Sequence, residues 1–321
     1  MTVPVLLEIA VGDPVPLGAG AAPGLVPLAV AAELAAAAER AGVVALRVRA
    51  AAVGARDVAD GFPRGDHVPA NRGRGHRALD PSTVAAYLAG RTAELGYLLD
   101  LPTTGNAPYN AARRVLSVDR AVGGRAGVVL QPGAGDEVSD AAAPDPTAND
   151  PAERWAEYAT VLTRLWESFP RAALLGDQER ALVLDDALIG PIDFEGRYYR
   201  VAGPLDGPSS AQGRPVLAVE AASGVADLGL ADAVFVERGA EVPPGRFAVI
   251  GRAEVAADTD LAELATWASG YDAVLLAPVG GADAVRDTID RVVPALARRE
   301  PHPTLRAALG LPVPTTEEIP A

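Results

Sequence analysis

The side chains best placed to do chemistry are two arginines inside an apolar run. Arg47 and Arg49 alternate with Leu46 and Val48 in VVALRVRA, and a period of two sends both to one face of a strand. If that face is a barrel interior, the guanidinium groups need carboxylates beside them, because a buried charge without a partner is strongly destabilising. Asp100 and Glu220 are the candidate partners. If the face looks outward at the barrel edge, loop acids pair with them instead. Other chemistry is thin. The chain has no cysteine and no lysine, which removes disulfides, thiolate nucleophiles, cysteine-ligated metals, Schiff bases and a phosphate-loop lysine. His67, His76 and His302 lack metal-ligand spacing, even with Asp66 nearby. Asp136-Glu137, Asp185-Asp186 and Glu317-Glu318 read as solvated loop charges. Ser209-Ser210 lies in a Pro/Gly loop, and the chain has no GxSxG nucleophile turn.

Eight short apolar runs bounded by turn residues must position these groups. They span 6–10, 44–50, 97–102, 126–131, 215–221, 232–237, 247–255 and 272–278. Helical patterns at 25–41, 81–94, 108–118, 151–169, 261–269 and 282–299 separate most of them. In the stretch from Leu79 to Gln131, Asp80 and Pro81 open a helix as N-cap and first-turn proline, and Gly96 is expected to close it. Strand, helix and strand then follow, and two strands joined by a crossover helix run parallel. Eight such strands alternating with helices predict a single (β/α)8 TIM barrel over 1–321. The rival, a doubly wound open sheet, wants a glycine-rich first turn, and GDPVPLGAGAAPG lacks the GxGxxG order. Residues 51–78 and 133–150 read as long loops, the second acidic, and 300–321 as a C-terminal tail. DFEGRYYRV predicts a hairpin around Glu195-Gly196. Trp155 and Trp166, at helical spacing with Leu162 and Leu165, read as core.

Composition bounds the partners. The formal charge is −14 with 49% hydrophobic residues in 321, enough apolar content for a large core. Such an acidic chain suits neither nucleic acid nor an anionic membrane surface. The N-terminus lacks a basic leader and no apolar run reaches the ~20 residues of a membrane span, so a cytoplasmic protein is expected.

Three blocks carry a resemblance. They are the apolar strand ending in TT followed by PYNAARRVLSVDRAVGGRAG; RWAEYATVLTRLWESF with PIDFEGRYYRVAGPLDGPSSAQGRPVLAVEAAS; and VVPALARREPHPTLRAALGLPVP. Together they resemble the bacterial luciferase-like flavin-dependent monooxygenases, in the branch of nitrilotriacetate and dibenzothiophene-sulfone monooxygenases. The resemblance implies a two-component oxidoreductase, an FMN flavoprotein that takes reduced flavin from a separate reductase and uses O2. It also implies a homodimer, or a heteromer with a homologue, and deazaflavin chemistry occurs in the wider superfamily. Thr103 and Thr104 match the family threonines that approach the flavin, and Ser223 matches a serine near its phosphate. His76 would match an acid/base on a lid. Arg113, Arg114, Asp119, Arg120 and Arg125 match a motif that ties helix to turn.

The sequence departs from the family at other cofactor positions. Ala50 stands where an aspartate is expected, and Val129, Pro132 and Gly133 where an asparagine and a Thr-Ser pair belong. Trp155 replaces a tyrosine, and Glu220-Ala221-Ala222 replaces small residues ahead of the phosphate serine. A carboxylate at Glu220 repels a phosphate dianion. The connection RGAEVPPG, between the sixth and seventh strands, is too short for the family's helix and insertion. The expectation is a family member with weakened or lost flavin binding. The alternative is a non-catalytic pseudoenzyme serving as partner or scaffold, or binding another small molecule.

Overall fold

All eight apolar runs become parallel strands of one closed barrel. In the computed structural model, residues 3–12, 25–50, 79–133, 143–297 and 300–314 are described. The strands are β1 (Val5–Val11), β2 (Val43–Arg49), β3 (Gly96–Pro102), β4 (Ala126–Gln131), β5 (Val216–Glu220), β6 (Ala233–Glu237), β7 (Ala248–Val255) and β8 (Ala273–Pro278). Each pairs with its neighbour in chain order. The barrel closes where Val5, Leu6 and Leu7 of β1 register with Val274, Leu275 and Leu276 of β8. That pairing excludes an open sheet.

Helices α1 (Leu28–Ala41), α2 (Pro81–Ala89), α3 (Pro108–Ala121), α4 (Pro151–Glu167), α5 (Leu261–Ala268), α6 (Ala282–Asp287) and α7 (Val293–Leu296) pack outside. A last turn, α8 (Leu305–Ala308), sends Leu305 and Leu309 into the interior cluster with Leu6, Ala45, Leu98 and Val216. The 300–321 tail therefore begins as a plug for the barrel floor, fixed by a hydrogen bond from the Leu305 N–H to the Gly124 carbonyl.

Several boundaries differ from the sequence reading. Residues 25–26 form a short strand beside β1, because Pro27 disfavours the helical conformation for Val26 before it. The helix after Pro81 stops at Ala89, with Gly90 at its end. Glu39 draws the next turn out of helix by accepting the N–H groups of Ala93, Glu94 and Leu95 on one carboxylate oxygen. Gly96 is the first residue of β3, where a Cβ would lie 2.8 Å from the Arg125 carbonyl oxygen and 3.0 Å from that of Val44. The final helical stretch is broken by a π turn at Thr288–Val292 ahead of Pro294, since proline lacks the N–H that would continue an α-helix. The hairpin pairs Phe194 with Val201 and Glu195 with Arg200, so its turn lies at 196–199. Between β5 and β6 the chain makes only 3-10 turns at Ala221–Ser223 and Leu228–Leu230, and between β6 and β7 the described chain has no helix. The sequence reading missed a second ribbon, Leu174–Asp177 with Leu182–Leu184.

The family-type motif in α3 ties helix to turn, as expected. Asp119 is fully buried, and one carboxylate oxygen accepts the Ala126 N–H at 2.8 Å and the Gln212 amide at 2.7 Å. Burial pushes its carboxyl up to about 6 against the pull of these hydrogen bonds and of Arg306. Between pH 4 and 6 the folded chain therefore keeps a proton that the unfolded chain has lost, so this group's contribution falls as pH rises. Relative to Asp119→Asn, the parent should lose on the order of 3 kcal/mol of stability from pH 4 to pH 7. Urea unfolding of both proteins across that range checks it, and parallel pH profiles would refute it.

Candidate functional site at the barrel mouth

The top layer of the interior is ionic. Glu8 on β1, Arg47 on β2, Asp100 on β3, Glu220 on β5 and Arg252 on β7 project inward, and the partners identify the face. Arg47 Nη2 donates to Glu220 at 2.5 Å and Arg252 Nη2 donates to Glu8 at 2.9 Å. Neither pair joins neighbouring strands, so both bonds cross the interior. Arg47 is the hub. It has no exposed surface, donates through Nε to Asp100 at 2.9 Å, lies 3.7 Å from Glu8 and packs over the Phe235 ring at 4.9 Å. Arg49, 37% exposed, sits at the rim with Glu8 at 3.3 Å and Asp100 at 3.5 Å. Gln131 donates to the second Asp100 oxygen at 3.1 Å, and Arg252 also holds Glu237.

Three guanidinium groups thus interleave with four carboxylates. Burial favours the neutral form of Arg47, but Asp100, Glu220 and Glu8 outweigh it and raise its pKa. At Glu8, burial acts upward and is outweighed by the Arg252 hydrogen bond and the charges of Arg47, Arg49 and Arg252, which hold the carboxyl below the usual range. At Asp100 burial wins, and the carboxyl is raised despite Arg47 and Arg49. Of the two orientations open for Arg47 and Arg49, the structure takes the inward one, with Asp100 and Glu220 as partners of Arg47. Glu8, Glu237 and Arg252 were not anticipated. Their signal was a charged residue at an alternating position within an otherwise apolar strand.

The residues matched to flavin contacts make no hydrogen bond to this lattice. Thr103 is fully buried, its hydroxyl accepting the Gly133 N–H at 2.9 Å and its carbonyl the Tyr199 hydroxyl at 3.1 Å. Thr104 lies against Gly133, where any Cβ would collide with its side chain. Ser223 ends the 3-10 turn after β5, followed by Gly224 at φ 80°, and its Oγ is buried without a hydrogen-bond partner. Trp155 is core, as read: fully buried, its indole N–H donates to the Leu130 carbonyl at 2.9 Å. Trp166 does the same to Ala112. Ser209 and Ser210 lie in a loop, as read, but are buried there, and Ser209 Oγ accepts the Arg171 N–H. His67, His76 and Asp66 lie outside the described residues, as do Asp136-Glu137 and Glu317-Glu318. His302 is half-buried beside prolines. Among the described residues no cluster of His, Asp and Glu could hold a metal ion, and no helix is long and apolar enough to cross a membrane.

An eight-stranded barrel with this strand order defines the class of fold, and comparison with known proteins defines the family. The family model for luciferase-like monooxygenases matches residues 8–234. The chain belongs to the luciferase-like monooxygenase family, whose members are oxidoreductases. It is similar to dibenzothiophene-sulfone monooxygenase of Rhodococcus erythropolis, with 32% identity over 153 residues, covering 45% of this chain but only 32% of that protein. It is also similar to one of the subunits of the pristinamycin IIA synthase of Streptomyces pristinaespiralis, with 31% identity over 246 residues, 73% of this chain and 78% of that one. Among solved structures, a long-chain alkane monooxygenase superposes with a TM-score of 0.69 at 16% identity, covering 97% of this chain and 96% of that one. This last likeness is one of fold.

Proposed function

We propose that this chain is a luciferase-like barrel of the two-component, FMN-dependent type in which flavin binding is weakened or lost. The single observation that carries the reading is Arg47, fully buried between Asp100 and Glu220 at the head of the barrel. Tested against FMN, the residues present fit poorly. A ring resting on the mouth would meet an ionic layer already paired within itself. The Thr103 hydroxyl already accepts the Gly133 amide, and Glu220, 35% exposed at its side chain, would face a phosphate held near Ser223. Only the unpartnered Ser223 Oγ favours such a phosphate, through its hydroxyl and the neighbouring backbone amides. Were the cofactor held, it would bring the oxygen chemistry, with reduced flavin supplied by a separate reductase. Thr103, Thr104 and Ser223 are the residues that would approach it.

A second reading is that the chain serves as a partner, with itself or with a homologue, in the cytoplasm. It is favoured by the relative whose name makes it one component of a multi-chain synthase. The experiment is a fluorescence and calorimetric titration with oxidised and reduced FMN, run beside a deazaflavin. The expected result is no saturation below millimolar flavin. Micromolar binding would restore the enzyme reading.

A further inference from the structure

We propose that Glu220 sets which ligand the barrel mouth accepts: pinned by Arg47, it makes the turn at Ser223 reject a phosphate monoester and take a ligand that ends in an uncharged hydroxyl. The proposal rests on the flavin reading above and names the chemical class that fits where FMN does not.

The selectivity comes from a carboxylate that is held in place. Glu220 is the last residue of β5. Val216 and Ala218, at the same alternation, lie in the interior cluster, so the Glu220 side chain enters the mouth from the strand end. Its Oε1 accepts from Arg47 Nη2 at 2.5 Å. Arg47 is itself fixed by Asp100 at 2.9 Å and by the Phe235 ring at 4.9 Å, so it cannot swing the acid aside. Nor does it cancel the charge, because Asp100 and Glu8 share the same guanidinium. The layer as a whole sets Glu8, Asp100, Glu220 and Glu237 against Arg47, Arg49 and Arg252, an excess of acid.

The turn that follows offers an anion little in return. From Glu220 to Leu230 the sequence is EAASGVADLGL, with two acids and no Arg, Lys or His. What it does offer is neutral hydrogen bonding. Ser223 Oγ is buried without a partner among the described residues, and a hydroxyl both donates and accepts. It is shielded in this rotamer, and rotation about Cα–Cβ presents it to a ligand. Beside it, a Cβ on Gly224 would meet nothing within 4 Å, so there is room at the turn. Arg47 engages Oε1 of Glu220, which leaves Oε2 to a ligand. A ligand hydroxyl can donate to that oxygen in a charge-assisted bond and pair with Ser223. A phosphate, dianionic above about pH 6, has no proton to give and meets repulsion instead.

Riboflavin and FMN test this on the full chain, since they differ only in the terminal phosphate and share whatever penalty the ring meets at the ionic layer. Saturation-transfer NMR and fluorescence titration at pH 8 read both affinities, up to the solubility of each ligand. The parent is expected to bind riboflavin roughly tenfold or more tightly than FMN. Glu220→Gln keeps an oxygen for Arg47 and removes the charge. It should strengthen FMN binding roughly tenfold and weaken riboflavin a few-fold, so that the preference is lost. Glu220→Asp, which retains the charge, should retain the preference. Asp258→Asn, on an exposed turn after β7, should leave both affinities as they are. Circular dichroism checks the fold of each variant, and the parent's own ratio decides the matter even if Glu220→Gln does not fold. Micromolar FMN binding by the parent would overturn the flavin reading and the proposal together. Equal affinity of the parent for the two ligands, binding of neither, no gain for FMN in a folded Glu220→Gln protein, or the same gain in Asp258→Asn would overturn the proposal alone.

Discussion

Replacing Arg47 with methionine is expected to lower the unfolding free energy by about 3–5 kcal/mol, the cost of leaving buried carboxylates without their counter-charge. Arg47 contacts Asp100, Glu220 and Glu8, and its removal takes the nearest counter-charge from Asp100 and Glu220, while Glu8 keeps Arg252. Glu220 is partly exposed and screened by water, so its share is smaller than that of Asp100. The loss should depend on pH. Without Arg47, the Asp100 carboxyl, which burial already raises, rises further, so the folded chain holds a proton at low pH that it surrenders as pH increases. The deficit is therefore larger at pH 8 than at pH 5, and urea unfolding at both values measures it. Combining Arg47→Met with Asp100→Leu and Glu220→Met should recover most of the loss, because an apolar set of similar volume replaces an ion-pair cluster at little cost. A single variant within about 1 kcal/mol of the parent at pH 8 would mean that water, not protein, carries these charges.

Trp155→Ala is the second large effect, about 3–5 kcal/mol for emptying the site of a buried aromatic side chain. Trp155→Phe separates the polar part. It retains most of the ring volume but strips the Leu130 carbonyl of its 2.9 Å indole donor, and should cost about 1–3 kcal/mol. The pair distinguishes a tryptophan that holds α4 against β4 from one displayed at the rim to stack on a ligand. Loss of stability on the alanine change supports the former, and an alanine protein as stable as the parent would support the latter.

How much of this could be read from the chain depended on how local the signal was. The eight strands were legible because each is an apolar run cut off by turn residues, and the parallel order followed from the helices between them. The inward turn of Arg47 and its two partners was legible as one of two options, since alternation fixes a face but not which face is interior. Glu8 and Arg252 were not paired in advance because 244 positions separate them and only barrel closure brings them together. The Gly96 assignment failed for a related reason. A glycine after a helical run resembles a cap, whereas here it is required by the Val44 and Arg125 carbonyls crowding β3. The ribbon at Leu174–Leu184 was overlooked because its leucines lie in the open, so no buried-face periodicity marks them. For the flavin positions, matching residues to a family named Thr103, Thr104 and Ser223, but that Thr103 is tied to Gly133 and Tyr199 while the Ser223 hydroxyl is buried without a partner follows from long-range packing that no local pattern marks.

The way this cylinder is shut has a consequence for how it is made. Its first strand is sealed by its last, and its floor is filled by Leu305 and Leu309, which follow that last strand. During synthesis at about 5–20 residues per second, the closed barrel with its filled floor cannot form until the ribosome has released residue 309. The nascent polypeptide must therefore wait, apolar edges bare, for its own closing segment to emerge.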